Sequence, residues 1–200
     1  MDRVLDYPRR SPRILDQAPV NPDSLWPLHH AISETFSWGN YSQMLLDPTF
    51  HSQFNTTWVL RMEIDGAICS NSNATVEDFL ALDYDCYGAP WVFLQGPQCG
   101  NGGVSLRKSK VFSDNAFPAM VGPEDGEWTR RLRRVHARMP PIAVGQRFSV
   151  ETICFSSPWA FHKPHLGRCS VQQLRELSIS CPELNQSSGL PRMRQPLNAC

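Results

Sequence analysis

Two hundred residues with 19 basic and 19 acidic side chains make a net-neutral chain of ordinary domain length, so no global charge draws it to nucleic acid or acidic lipid. Charged residues are only 19% and prolines number 17, which disfavours a helical protein and favours short strands joined by loops. Six Trp and ten Phe supply a modest core and exclude wholesale disorder.

Residues 1–28 hold Pro8, Pro12, Pro19, Pro22 and Pro27 among scattered charges, and the pattern predicts a poorly ordered arm over 1–36. No apolar leader segment stands in the first 60 residues, and no run reaches the roughly 18 apolar residues of a membrane span. His29–Met44 contains a candidate short helix, ended by Gly39 or Pro48. The clearest pattern follows. Residues 57–64 alternate as a half-buried strand with Trp58, Leu60, Met62 and Ile64 inward and Arg61, Glu63 and Asp65 on the solvated side. Asp65-Gly66 closes it as a turn.

Thr75 and Asp78 form a capping-box pattern ahead of a short helix. The apolar run Trp91–Leu94 reads as a buried strand, Gly100–Gly103 as a turn, and Val104–Phe112 as the partner strand of that hairpin. Glu127–Met139 reads as a helix with Trp128, Leu132, Val135 and Met139 inward, acids before it and Pro140-Pro141 after it. Arg147–Phe155 alternates as a strand. Ser170 and Gln173 open a helix with Val171, Leu174 and Leu177 inward, and 182–200 reads as a disordered tail. The expected fold is a mainly β, loop-rich, disulfide-stapled single domain over 37–181 with a few short helices, an α+β arrangement being the variant.

Seven cysteines fit a secreted domain with two or three bridges. The preferred pairs are Cys86–Cys99 and Cys154–Cys169, each closing a turn-containing loop, with Cys200 the odd thiol. Four sequons, at Asn40, Asn55, Asn73 and Asn185, strengthen the extracellular reading. His162, His165 and Cys169 invite a zinc site, but no Cys-x-x-Cys pair supports it and a structural disulfide is preferred. Arg130, Arg131, Arg133, Arg134 and Arg138 mark a basic helix, read as a solvated face before an RNA-binding one. The glycine run fails the spacing of phosphate-binding loops, and no nucleophile elbow or zinc-protease motif occurs. Asp83 and Asp85 beside Cys86 read as ordinary loop carboxylates. No enzyme, cofactor, metal or small-molecule substrate is expected.

Ile153-Cys154-Phe155-Ser156, with the alternation of residues 147–152 before it and a proline-bearing loop closed at Cys169, resembles the Ile-Cys-Phe-Ser segment of betaretroviral envelope surface subunits. That resemblance implies a glycoprotein that recognises a cell-surface receptor, partnered by a transmembrane subunit. Residues 131–134 resemble the cleavage motif between those subunits, yet Pro140-Pro141 replaces a fusion peptide. The implied product is therefore a truncated surface subunit without fusion machinery. Exposed aromatics, Trp38, Trp91 or Trp159, would anchor its interface, with Trp91 better suited to the core. The alternatives are an intracellular arginine-rich RNA-binding accessory protein and a degenerate reading frame without retained function.

Overall fold

The computed structural model describes residues 38–117, 122–164 and 168–185. Among the described residues, six strands and seven short α-helices alternate with long loops, in one disulfide-stapled unit. Helices α1 (Trp38–Met44) and α2 (Pro48–His51) lead into strands β1 (Trp58–Met62) and β2 (Gly66–Ile68). Helix α3 (Val76–Leu82), β3 (Cys86–Ala89), β4 (Asn101–Lys108) and α4 (Ser109–Asn115) follow. The chain continues through α5 (Glu124–Arg134), α6 (Ile142–Phe148), β5 (Ser149–Val150), β6 (Ala160–His162) and α7 (Val171–Ser180). The candidate arm over 1–36, Cys200 and nearly all of the expected tail lie outside the described residues.

Strand β4 is central to an antiparallel sheet of order β1-β4-β3 and is buried over almost its whole length. Trp58 stands opposite Lys108 and Met62 opposite Val104. A second sheet has the order β2-β6-β5, with β6 antiparallel to β2 and parallel to β5. The turn Glu63–Gly66, closed by the Gly66 N–H donating to the Glu63 carbonyl at 3.0 Å, passes the chain from the first sheet to the second. One apolar cluster gathers Trp128, Leu132, Phe112 and Leu46 under α5, and another gathers Phe79, Tyr87, Phe148 and Trp159 under the sheets.

Both predicted capping boxes form. The Asp78 carboxylate accepts from the Thr75 N–H at 2.8 Å, and Ser170 and Gln173 exchange bonds of 2.9 and 3.2 Å ahead of α7. The predicted bridges Cys86–Cys99 and Cys154–Cys169 are present, with Cα separations of 5.4 and 5.3 Å. A third bridge joins Cys69 to Cys181 across 112 positions.

Several local expectations are corrected. Strand β1 ends at Met62, so Ile64 is 99% exposed at a turn tip while the Arg61 side chain packs inside. Trp91–Leu94 is a turn rather than a strand. The amide side chain of Gln98 accepts from the Trp91 N–H at 3.0 Å and donates to the Leu94 carbonyl at 2.8 Å, bending the run so that Trp91 is buried and Phe93 exposed. Gly100–Gly103 opens β4 instead of forming a hairpin turn, and β4 pairs with β1 and β3. Helix α5 begins three residues earlier than expected, because Glu124, Asp125 and Glu127 occupy its first turn and meet the positive end of the helix dipole. It stops at Arg134, before the left-handed His136 (φ 54°). The expected strand at 147–155 shrinks to β5, because Pro140-Pro141 starts helix α6 just upstream. Val171 is exposed, and it is Leu177 that carries the buried face of α7.

His51 offers a stability test. Its Nε2–H donates to the Leu45 carbonyl at 2.8 Å, which also accepts from Trp128 Nε1 at 3.0 Å. Burial, opposed by that hydrogen bond, lowers its pKa from 6.5 to about 4. The unfolded chain takes up this proton first, so the stabilisation is complete above pH 6.5 and is lost as pH falls toward 4. The expected loss is about 3 kcal/mol. Denaturant titrations at pH 7, 5.5 and 4 should show a pH slope that His51→Asn flattens by that amount; parallel slopes would refute it.

Candidate metal centre

The polar edge of β1 is largely withdrawn from water. Arg61 donates from one terminal nitrogen to Glu124 Oε1 at 2.7 Å and from the other to the Tyr41 hydroxyl at 2.8 Å, and it also pairs with Glu63. The Arg107 guanidinium reaches the same Glu124 carboxylate at 3.2 Å. Glu63, Ile64 and Asp65 then turn the chain, and the i, i+2 spacing sends both carboxylates toward the end of β6.

There they meet His162, the last residue of β6, whose side chain is 6% exposed. Its Nε2 lies 3.0 Å from Oε2 of Glu63 and 3.0 Å from Oδ1 of Asp65. Neither ring nitrogen makes a hydrogen bond of acceptable geometry among the described residues, and neither does Asp65 Oδ1. A single N–H shared between two oxygens makes only a three-centre contact, whereas a cation would meet all three side chains directly; Nδ1 of the same ring lies 4.0 Å from Glu151. Among the described residues only Glu63, Asp65 and His162 bring three such ligand atoms within 4.8 Å of one another.

The spacing carries chemical information. An octahedral ion with bonds of about 2.1 Å holds neighbouring donors about 3.0 Å apart, while a tetrahedral ion with similar bonds separates them by about 3.4 Å. The two His162 distances fit the octahedral spacing and are also those of ordinary nitrogen–oxygen contacts. Two carboxylates and one imidazole suit a hard or borderline divalent ion such as Mn2+ or Mg2+.

Beside the three ligands opens a cleft of about 230 Å³, bordered by Asn101, Asp125 and Glu151 as well as by Glu63 and His162. The Asn101 amide donates to Glu151 Oε1 at 3.0 Å and Asp125 Oδ2 at 3.3 Å, holding these acids together, while Trp91 Nε1 donates to Glu151 Oε2 at 3.1 Å. Burial raises the pKa of Glu151, and burial together with Glu124 raises that of Asp125. Glu63 is held down to about 2, chiefly by the His162 ring and then, against the cost of burial, by Arg61 and Lys163. Lys163 Nζ pairs with Asp65 Oδ2 at 2.6 Å. Five carboxylates (Glu63, Asp65, Glu124, Asp125, Glu151) thus face two guanidiniums and one ammonium, an acidic surplus around the imidazole.

Gly103 makes room for the ring. A Cβ at this position of β4 would stand 2.5 Å from His162 Nε2, inside van der Waals contact.

The residues singled out in the sequence fall elsewhere. Cys169 is bonded to Cys154 and Cys181 to Cys69, so the zinc grouping does not form, and His165 is outside the described residues. Of the basic cluster, Arg134 and Arg138 are exposed, Arg130 and Arg133 are half-buried and Arg131 is buried. The Arg131 side chain is buried against Glu127 at 2.8 Å, Arg130 pairs with the same carboxylate, and Arg133 donates to the Gln95 carbonyl at 2.7 Å. Arg138 lies beyond α5 and pairs with Asp83 at 2.8 Å; only Arg134 of the five remains simply exposed. Asp83 and Asp85 pair with Lys108 at 2.7 and 2.9 Å, as loop carboxylates. Asn55 and Asn73 are exposed, while Asn40 and Asn185 fall in helical segments. Trp91 and Trp159 are both core residues. The missed signal was the Glu-x-Asp pair ahead of Gly66, which alternation alone assigned to solvent.

Residues 30–163 match the family described as "Protein of unknown function (DUF5672)", a span that includes all three candidate ligands. No curated protein and no solved structure matches the chain. The chain belongs to the DUF5672 family.

Proposed function

We propose that this protein is a divalent-cation-dependent enzyme of an oxidising, extracytoplasmic compartment, acting on a small molecule that bears phosphate or carboxylate oxygens. The carrying observation is the buried His162, whose Nε2 stands equidistant at 3.0 Å from Glu63 and Asp65 without a hydrogen bond on either ring nitrogen. With three protein ligands, a six-coordinate ion would still accept water and anionic ligand oxygens. Glu63, Asp65 and His162 would hold the ion, which would supply Lewis-acid polarisation of such an oxygen. The chain's own residues supply the rest: Arg61 and Lys163 fix the carboxylates, and Glu151, its pKa raised by burial, is placed to hold or release a proton at the cleft. Three disulfides and the exposed sequon residues Asn55 and Asn73 support the compartment.

Titration of the oxidised protein with Mn2+, followed calorimetrically and by electron paramagnetic resonance, is the test. One equivalent should bind, and Asp65→Asn, which keeps shape while removing charge, should weaken it by about 100-fold or more. No binding at millimolar Mn2+, or an unchanged Asp65→Asn, would overturn the reading.

A purely adhesive role, receptor binding through exposed apolar residues, is the second reading. Val92 and Phe93, 50% and 74% exposed on a turn that Gln98 clamps, favour it. Such a role requires no cation, so the same titration separates the two.

A further inference from the structure

Two cationic side chains border the cation cleft among the described residues, and they are placed differently. Arg61 is 11% exposed and tied to Glu63, Glu124 and the Tyr41 hydroxyl, whereas the side chain of Lys163 is 50% exposed. Lys163 directly follows the candidate ligand His162. Its ammonium pairs with Asp65 Oδ2 at 2.6 Å, while the His162 ring meets Oδ1 of the same carboxylate at 3.0 Å. Successive side chains of an extended strand point to opposite faces. Two neighbours reach one carboxylate here because the backbone leaves the strand at Lys163.

Lys163 has φ 40°, in the left-handed region. Among the described residues two other non-glycine residues share that sign, Asp83 at φ 55° and His136 at φ 54°. Both stand just past the end of a helix, where a left-handed residue is an ordinary way to close the last turn. Lys163 closes no helix. It follows β6 and precedes Pro164, and a residue before proline is normally confined to the extended region. Such a conformation is disfavoured, persists only where its surroundings impose it, and clusters at functional sites. Here β6 is paired on both sides, with β2 and β5, and so delivers Lys163 to the cleft in this conformation.

The cleft's carboxylates outnumber its cationic side chains, so an anion arriving alone is repelled. A divalent ion on Glu63, Asp65 and His162 would remove that surplus. An ammonium carries three donors, so one that braces Asp65 can also receive an oxygen from the cleft. A phosphoryl group, with nearly two negative charges and three terminal oxygens, suits two cationic partners better than a single carboxylate does. We propose that Lys163 is the phosphoryl-binding residue of the cleft, its ammonium receiving one oxygen of a group whose other oxygens meet the cation. The role rests on the cation reading above and adds to it an order of binding, ion before anion.

The probe is methylphosphonate, titrated calorimetrically into the oxidised full chain with Mn2+ bound, while broadening of its phosphorus resonance by the paramagnetic ion reports contact at the cation site. Saturable one-to-one binding is expected with Mn2+ and none in the presence of a chelator. Lys163→Gln should weaken methylphosphonate by about tenfold or more while moving Mn2+ affinity by less than about threefold. Lys163→Gly, which a left-handed backbone accommodates freely, removes the side chain without disturbing the turn and should give the same loss. Acetate should bind the Mn2+-loaded protein about tenfold more weakly than methylphosphonate. Unchanged methylphosphonate affinity in the two variants overturns the proposal, as does equal binding without Mn2+. A loss confined to Mn2+ affinity also overturns it, leaving Lys163 as a brace for Asp65 alone, and equal binding of acetate overturns the phosphoryl assignment. Absence of Mn2+ binding by the unmodified protein is the separate result that overturns the cation reading, and this role with it.

Discussion

Replacing Cys69 and Cys181 together by alanine should cost about 5 kcal/mol. The reason is the length of chain the bridge closes. In the chain-entropy account a loop of this span constrains the unfolded state by roughly 5 kcal/mol, against roughly 3 for the two shorter loops. The separations are 112 residues for Cys69–Cys181 but 13 and 15 for the others. Both sulfurs are buried in a cluster with Phe161, Val150 and Leu177, so the bridge also fastens α7 to the second sheet. The Cys69 N–H donates to the Trp159 carbonyl at 2.8 Å, which ties the same point to the strand that ends in His162. Denaturant midpoints and limited proteolysis of α7 measure the effect. A loss below about 1 kcal/mol would show that packing alone holds α7, contrary to this expectation.

Gly103→Ala is expected to abolish Mn2+ binding, by 100-fold or more, at a moderate cost of about 1–3 kcal/mol in stability. The added methyl would sit 2.5 Å from His162 Nε2, and the backbone of β4 cannot retreat because β1 and β3 hold it on both edges. The imidazole must therefore swing away from Glu63 and Asp65. Fold and site respond differently here: overpacking costs a small share of stability, while a displaced ligand removes the coordination geometry. Calorimetric Mn2+ titration beside a denaturation curve reads both. Retention of normal Mn2+ affinity by a folded Gly103→Ala would mean that the ring is not a ligand.

Short-range chemistry was legible from the residues themselves. Thr75 with Asp78, Ser170 with Gln173, and the turn at Asp65-Gly66 depend on groups within three positions of one another, so the chain needs no partner to form them. The Cys86–Cys99 and Cys154–Cys169 pairs belong to the same class, each closing a short loop. What the sequence could not decide was which side of an amphipathic strand faces water. Alternation placed Arg61, Glu63 and Asp65 together correctly, but their surroundings come from Glu124 on α5 and His162 on β6, distant along the chain. Burial of that polar edge depends on β4 pairing on both sides and on Gly103 leaving space for an imidazole, and no local pattern encodes either. For the same reason Arg131, on what read as a solvated helix face, lies inside the protein against Glu127. Local propensity and capping thus determined the pieces, while the packing of two small sheets through one crowded strand brought the candidate metal ligands together and gave them their chemistry.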